Sequence, residues 1–216
     1  MELTKKLIIE IVNFINTNAN TCQEKNILNI LKKFSLTKNN YTYPNYNSPP
    51  KIKSLQKALS NIQLKKLFPV KKAILSALPE LNWKIDNGSF YDKHSEVGLS
   101  YLNGNMNTEL IGPEKGSFKS HELRLGLFLL EPNIFYRDHK HEAPELYINL
   151  TNNILWRFNN SKWKKKDAGN IIFNEPFQVH AMKINNDPFL SIWCWPYNSS
   201  KKCILVPKKD WGKIEI

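Results

Sequence analysis

The spacing of apolar residues divides the chain into a helical first part and a β-rich second part. From Leu3 to Phe14, apolar side chains recur every three or four positions, which predicts an amphipathic helix. The same spacing returns from Glu24 to Phe34 and again from Lys51 to Leu78, where we expect two helices separated near Pro69. Turn-forming residues fill positions 39–50 and predict a loop between these regions.

After Pro79 the pattern changes to short runs of β-branched and aromatic residues, separated by Asn, Asp, Gly and Pro. The runs typical of strands are "LRLGLFLLEP", "ELYINLTNNILWRF", "GNIIFNE", "HAMKI" and "FLSIWCWP". Strands that follow one another this closely are typical of an antiparallel sandwich or a small barrel. We therefore expect a mainly β protein, with an N-terminal helical segment at residues 1–80 and a β-barrel domain at residues 81–216.

The formal net charge of the 216-residue chain is +12, and lysine supplies most of the positive charge. The lysines are spread in pairs along the whole chain instead of forming one basic stripe with arginine and aromatic residues. The sequence is also rich in Asn, Ile and Lys, a bias that AT-rich coding produces without selection for charge. We therefore expect no nucleic-acid partner.

The cysteines and the N-terminus indicate the compartment. Cys22, Cys194 and Cys203 are odd in number, far apart and without a CxxC pair, which predicts a reducing environment and no disulfide framework. The N-terminal apolar run is interrupted by Glu10, no cleavage site follows it, and no stretch is long enough to span a bilayer. We expect a cytoplasmic protein without a membrane partner.

Residues 136–147, "YRDHKHEAPELY", concentrate the candidate chemistry. They contain two of the five histidines of the chain, His139 and His141, which lie two positions apart and would share one face of a strand. Glu145 and Tyr147 are spaced in the same way. A bend between the two pairs would bring all four side chains together.

A third histidine, His180, follows the predicted strand "GNIIFNE". Two neighbouring histidines, a carboxylate and a distant histidine commonly hold one divalent transition metal ion, such as zinc, iron, manganese, cobalt or nickel, with positions left open for chemistry. The alternative interpretation is a solvated polar strand face with a hydrogen-bonded core histidine. The third histidine within an all-β pattern favours the metal site.

The spacing resembles the two sequence motifs of the cupins. His139, His141 and Glu145 match the ligand positions of the first motif, although asparagine stands where its two glycines would be, at Asn133 and Asn152. Asparagine tolerates positive φ, so a turn at Asn152 is expected. The second motif begins at Gly169, has Phe177 in place of a glycine and ends at His180. The resemblance implies a cupin fold, which is a double-stranded β-helix or jelly-roll barrel.

A closer resemblance covers residues 120–197. Tyr136, the HxHxxxExY run from His139 to Tyr147, and "HAM" from His180 together resemble the cupin-type dimethylsulfoniopropionate (DMSP) lyases, particularly the Q-type branch with its helical N-terminal segment. This resemblance implies a lyase that splits DMSP by β-elimination into dimethyl sulfide and acrylate. The implied partner is therefore a small sulfonium carboxylate, and a homodimer is an open possibility.

The resemblance also implies roles for individual residues. His139 and Tyr136 would contact the substrate, and a tyrosine would act as base, with Tyr147 preferred over Tyr136. A phenol is a poor base at neutral pH, but a neighbouring dication favours the phenolate. The implied metal ligands are His141, Glu145, Tyr147 and His180.

The sulfonium of the implied substrate is a permanent cation that aromatic faces would hold best. Most of the aromatic residues in the β-half are expected to be ordinary core. We expect Tyr136 and Trp195 to contact the substrate. The full set of aromatic candidates is Phe128, Phe135, Tyr136, Trp156, Phe177, Trp193 and Trp195.

Two alternatives to the lyase stay open. One is another cupin metalloenzyme, such as an iron-dependent dioxygenase or an isomerase, which would not need Tyr147 as a base. The other is a non-catalytic small-molecule-binding cupin in which the helical half forms an interaction surface.

Overall fold

The computed structural model describes residues 1–43, 47–113 and 115–214. Residues 44–46 of the predicted loop and the last two residues of the predicted β-domain lie outside this description. The α-helices are α1 (Glu2–Asn18), α2 (Cys22–Lys33), α3 (Ile52–Ser60), α4 (Phe68–Ala77), α5 (Leu99–Gly104) and α6 (Trp211–Ile214). The strands are β1 (Asn105–Gly112), β2 (Phe118–Lys119), β3 (Arg124–Leu130), β4 (Phe135–Lys140), β5 (Glu145–Asn149), β6 (Ile154–Phe158), β7 (Lys164–Lys166), β8 (Ile171–Asn174), β9 (His180–Lys183), β10 (Phe189–Trp195) and β11 (Ile204–Leu205).

Helices α1 to α4 follow the helical spacing of the sequence. α2 begins after a capping box, in which the Thr21 side chain accepts a hydrogen bond from the Glu24 backbone N–H and the Glu24 carboxylate accepts one from the Thr21 N–H. The predicted break between the last two helices lies at residues 61–67. Pro69 itself falls in the first turn of α4, where its missing N–H removes no hydrogen bond from the helix.

The strands form two mostly antiparallel sheets. The strand order is β2-β1-β3-β10-β5-β8 in the six-stranded sheet and β11-β4-β9-β6-β7 in the five-stranded sheet. Each run that the sequence pattern assigned to strands forms strands of these sheets, and "ELYINLTNNILWRF" contributes β5 to the first and β6 to the second. The predicted mainly β cupin fold with N-terminal helices is confirmed.

Alternate residues of the six-stranded sheet face two different cores. Along β10, Leu190, Ile192 and Cys194 pack against the layer formed by α1 to α4. Trp193 and Trp195 point instead into the space between the two sheets, where most of the buried aromatic residues gather. One core contains residues of both the helices and the six-stranded sheet. The division into a helical segment at residues 1–80 and a β-barrel domain at residues 81–216 stays a prediction.

Two other features bear on the expectations from the sequence. All three cysteines are free thiols, with Cys22 exposed and both Cys194 and Cys203 buried. Among the described residues, no helix combines the length and the apolar character that crossing a bilayer requires. The reducing compartment and the cytoplasmic location stay predictions.

A buried ion pair fastens the C-terminal segment to the outer face of the five-stranded sheet. The Arg157 guanidinium donates to both carboxylate oxygens of Asp138, which is fully buried, and also to Asp210. The indole N–H of Trp211 donates to Asp138 Oδ2 at 2.8 Å. Because Asp138 directly precedes His139 on β4, this contact also anchors the strand that carries a candidate site histidine.

Replacement of Arg157 by methionine is expected to lower the free energy of unfolding by about 3–5 kcal/mol, because the Asp138 charge would remain buried without its partner. Urea unfolding measures this change. The matched control is Lys165→Met, which removes a half-exposed pair with Asp167 and should cost less than about 1 kcal/mol. Equal losses in the two variants would contradict a structural role for the buried pair.

Candidate active site

The connection between β4 and β5 brings the two halves of the HxHxxxExY run together. β4 belongs to the five-stranded sheet and β5 to the six-stranded sheet, so the bend at residues 141–144 crosses from one sheet to the other. His139 lies at the end of β4 opposite His180 of β9, whereas Glu145 and Tyr147 point inward from β5. The predicted convergence of the motif is therefore present in the structure.

A β-bulge brings Tyr136 to the same side as the histidines. Tyr136 and His139 are three residues apart, so they would face opposite sides of a regular strand. The register of β4 against β9 shifts between these two residues, and the shift turns both side chains inward. Their rings lie 4.3 Å apart between centroids.

All three imidazoles are anchored in the same way. The Nδ1 atoms of His139, His141 and His180 lie 2.7–2.9 Å from the carbonyl oxygen of a residue two positions away. A carbonyl oxygen only accepts, so each Nδ1 carries a proton and Nε2 is the atom of each ring that a metal ion could bind. One ligand atom from each ring lies within 4.8 Å of those of the other two. Burial, together with the neighbouring His180 and His141, holds the pKa of His139 well below its usual range.

Glu145 is the carboxylate at the centre of this cluster. Its Oε2 lies 3.2 Å from Nε2 of His141 and 3.3 Å from Nε2 of His180, and its Oε1 accepts a hydrogen bond from Trp195 Nε1 at 2.8 Å. Burial alone would raise the pKa of Glu145, but His141 and His180 together hold it well below its usual range. Asn174 on the neighbouring strand β8 donates a further hydrogen bond to Oε2.

This donor set suits a metal ion. Oε2 of Glu145 and the Nε2 atoms of His141 and His180 lie close enough together to bind one ion. Nε2 of His180 is fully buried and has no hydrogen-bond partner. A divalent cation among these atoms would satisfy all of them, as in the histidine and carboxylate sites of first-row metals. The cluster could therefore hold a metal ion.

The two tyrosines of the run are both buried. Tyr147 packs edge-on against Trp156, and burial and the adjacent Glu145 carboxylate raise its pKa well above the usual value. Tyr136 accepts a hydrogen bond of 2.8 Å from the hydroxyl of Tyr91, and burial raises its pKa in the same direction. A dication beside Tyr147 would act against these effects, because it stabilises the phenolate.

A mostly aromatic cavity adjoins the cluster and extends into the space between the sheets. The space that the centre of a water-sized sphere can reach within it is ≈ 40 Å³. Glu145 reaches it from the cluster, and Trp193 can lie across β3 because Gly126 has no side chain: a Cβ there would stand 2.7 Å from the indole nitrogen. The lining residues are Phe90, Tyr101, Asn107, Phe128, Tyr136, Glu145, Tyr147 and Trp193.

The turns next to the site use residues other than glycine. Asn133, which stands in place of a cupin motif glycine, has a φ of 62°. The predicted turn at Asn152 has its positive φ one residue later, at Asn153. Phe177 also adopts a positive φ, of 60°, and its N–H donates to the His141 carbonyl at 2.8 Å. This hydrogen bond helps to hold a strained backbone beside the cluster.

Sequence reasoning foresaw most of the cluster but only part of the cavity. Trp195, expected to contact substrate, donates to Glu145 and packs its ring 4.5 Å from that of His141. His139, also expected to contact substrate, contributes a ligand atom to the cluster as well. The substrate-contact roles of both residues stay predictions. The cavity residues that sequence reasoning missed are Phe90, Tyr101 and Asn107, and each lies outside the recognised motifs.

Comparison with known proteins agrees with this geometry. A family model described as dimethylsulfoniopropionate lyase matches residues 23–191. A solved structure of the DMSP lyases RdDddP and RnDddQII matches with a TM-score of 0.66 and 18% identity, over 95% of this chain and 98% of that chain. The DMSP lyase DddQ from Ruegeria pomeroyi DSS-3 matches with a TM-score of 0.65 and 18% identity, over 95% and 96%. A search of curated proteins found no match.

The fold and the site define a cupin with a buried histidine and carboxylate cluster that could hold a metal ion. Since the family model covers well over half of the residues, the chain belongs to the dimethylsulfoniopropionate lyase family. The two solved structures, at 18% identity, establish the similarity of fold.

Proposed function

We propose that this protein is a metal-dependent lyase that cleaves DMSP by β-elimination into dimethyl sulfide and acrylate, with Tyr147 as the base. One observation carries the proposal. The inward-facing cluster of three Nδ1-anchored histidines and Glu145 opens onto an aromatic cavity that Tyr147 also lines, in a chain of the DMSP lyase family.

The proposed metal ligands are His141, Glu145, Tyr147 and His180, with the Nε2 lone pair of His139 available in the same cluster. A bound divalent ion would act as a Lewis acid towards the substrate carboxylate and stabilise the charge that develops beside it. The Nδ1 hydrogen bonds to backbone carbonyls hold the imidazoles in the tautomer that binds metal. Trp195 positions Glu145 by donating to the oxygen that points away from His141 and His180.

Tyr147 is the proposed base because it is next to Glu145 and lines the cavity. Its phenolate oxygen takes a proton from the carbon beside the substrate carboxylate. The electron pair of that C–H bond forms the carbon–carbon double bond, and the pair of the Cβ–S bond leaves with the sulfur. The products are neutral dimethyl sulfide and acrylate, and the proton remains on Tyr147.

The aromatic wall of the cavity is the proposed site for the sulfonium. Tyr136 contributes a ring to this wall together with Phe128, and the ring of His139 lies 4.3 Å from that of Tyr136 between centroids. Aromatic faces attract a cation that carries no hydrogen-bond donor, and the attraction is stronger when the cation loses its water. Tyr136, His139 and Trp195 are the substrate contacts that we propose.

The proposal is tested by incubating purified protein with DMSP under argon, with and without a chelator, and measuring dimethyl sulfide and acrylate. We expect both products without oxygen, loss of both after chelation, and recovery when a divalent metal is restored. Turnover that requires oxygen would favour the dioxygenase alternative. Bound metal with no product from any sulfonium compound would favour the non-catalytic alternative.

A further inference from the structure

A second buried carboxylate lies behind the aromatic wall of the cavity. Asp86 is only 3% exposed, and its Oδ2 accepts a hydrogen bond of 2.8 Å from the hydroxyl of Tyr101. Its Oδ1 accepts three more, from the backbone N–H groups of Gly88 and Ser89 and from the Ser89 hydroxyl, at 2.9–3.1 Å. All four partners donate, which is the hydrogen-bond pattern of an ionised carboxylate.

The wall connects this charge to the cavity. The ring of Tyr101 stacks on that of Tyr136 with centroids 4.4 Å apart and planes within 9°, and both rings line the cavity. Asn105 fixes the assembly, because its side chain bonds the backbone of both Asp86 and Tyr101. Asp86 is therefore held one tyrosine ring away from the proposed place of the sulfonium.

The part of the cavity beside Phe90 is less suited to a cation. The guanidinium of Arg124 lies 5.3 Å from the centre of the Phe90 ring, and it forms an ion pair with Glu109 at 2.7 Å. A second cation at Phe90 would meet this positive group at close range. Lys202, which bonds the Ser89 carbonyl next to Asp86, is exposed, so solvent screens its charge.

We propose that Asp86 is a positioning residue for the cationic end of the substrate. Its negative charge attracts the sulfonium to the wall formed by the stacked Tyr101 and Tyr136 rings. The substrate carboxylate then points towards the Glu145 cluster. The inference rests on the proposed function for the class of substrate, a zwitterion with a carboxylate and an onium group. It adds a residue outside the cupin motifs to the determinants of orientation and of cation selectivity.

The test uses two unreactive ligands of nearly identical shape. N,N-dimethyl-β-alanine carries a cationic dimethylammonium group at neutral pH, and 4-methylpentanoate has an uncharged isopropyl group in its place. Isothermal titration of zinc-loaded wild-type and Asp86→Asn protein gives the Kd of each ligand. The asparagine oxygen can keep the three hydrogen bonds of the turn at Gly88 and Ser89, while the charge is lost.

We expect Asp86→Asn to weaken binding of the cationic ligand by about tenfold and to leave the neutral ligand within about twofold. Tyr101→Phe is the matched control, because it removes the hydrogen bond to Asp86 but keeps the charge and the ring; it should retain most of the preference for the cation. An equal effect of Asp86→Asn on both ligands, or no effect on either, would overturn the proposal.

A crystal structure of wild-type protein with N,N-dimethyl-β-alanine provides a second test that does not depend on the stability of the variant. The dimethylammonium group should lie against Tyr101 and Tyr136, and its location beside Phe90 would contradict the inference. DMSP cleavage by the wild-type protein is a separate measurement. If the protein cleaves DMSP but Asp86→Asn leaves the preference for the cationic ligand unchanged, the role of Asp86 alone is overturned.

Discussion

Replacing Tyr147 by phenylalanine is expected to lower kcat for DMSP cleavage by about 10³-fold, because the α-proton would lose its acceptor. Phenylalanine keeps the edge-on packing against Trp156, so the fold should be retained. The variant loses one proposed ligand but keeps His141, Glu145 and His180, so at a saturating metal concentration bound metal should stay near one ion per chain. Steady-state kinetics with acrylate detection, together with metal analysis, measures both quantities.

Two further variants test whether the loss of activity is specific to Tyr147. Tyr136→Phe removes the competing candidate for the base, and its loss of kcat should be clearly smaller than that of Tyr147→Phe. Tyr197→Phe alters a tyrosine that is 43% exposed and should behave as wild type. If Tyr136→Phe shows the larger loss, the base is Tyr136; if Tyr147→Phe stays fully active, an elimination with Tyr147 as base is excluded.

The second large effect is expected at His180. Replacing it by alanine removes a fully buried imidazole whose Nε2 faces Glu145, and should reduce metal affinity by more than about 100-fold. DMSP cleavage should fall in parallel at a metal concentration that saturates the wild-type protein. Metal content by mass spectrometry and activity at several metal concentrations follow the two losses together.

His121→Ala is the matched control, because it also removes one histidine, but an exposed one that lies outside the cluster. It should retain both metal and activity. Full metal binding by the His180 variant would show that the ion is held elsewhere, and the candidate site would then be wrong.

Periodicity predicted the helices and most of the strands because both depend on local patterns. Each run predicted to form strands does so, and α1 to α4 occupy the regions of helical spacing. β1 was missed because "NMNTELIG" shows polar residues at Asn107 and Glu109. Asn107 lines the cavity and Glu109 is buried in an ion pair with Arg124, and both contacts depend on distant residues. Strand order and the crossing between sheets likewise depend on long-range pairing.

The cluster was foreseeable from the sequence because its side chains come from one short run and one recognisable later histidine. The residues of the cavity wall were harder to predict from the sequence. Tyr136 reaches the interior through a bulge that no regular period predicts, and Tyr101 lies on the short helix α5 without a motif. Asp86 joins them only through a side-chain hydrogen bond in the folded chain. Contacts of this kind arise from tertiary structure, so the sequence pattern did not reveal them.

The most direct measurement of the central claim is the product balance of the metal-loaded protein with DMSP, followed by proton NMR in a sealed sample. We predict that one acrylate and one dimethyl sulfide appear for each DMSP consumed, in proportion to the metal bound at the His141, Glu145 and His180 cluster. DMSP that stays unchanged with zinc, iron, manganese, cobalt and nickel, while the protein holds one ion per chain, would contradict the account.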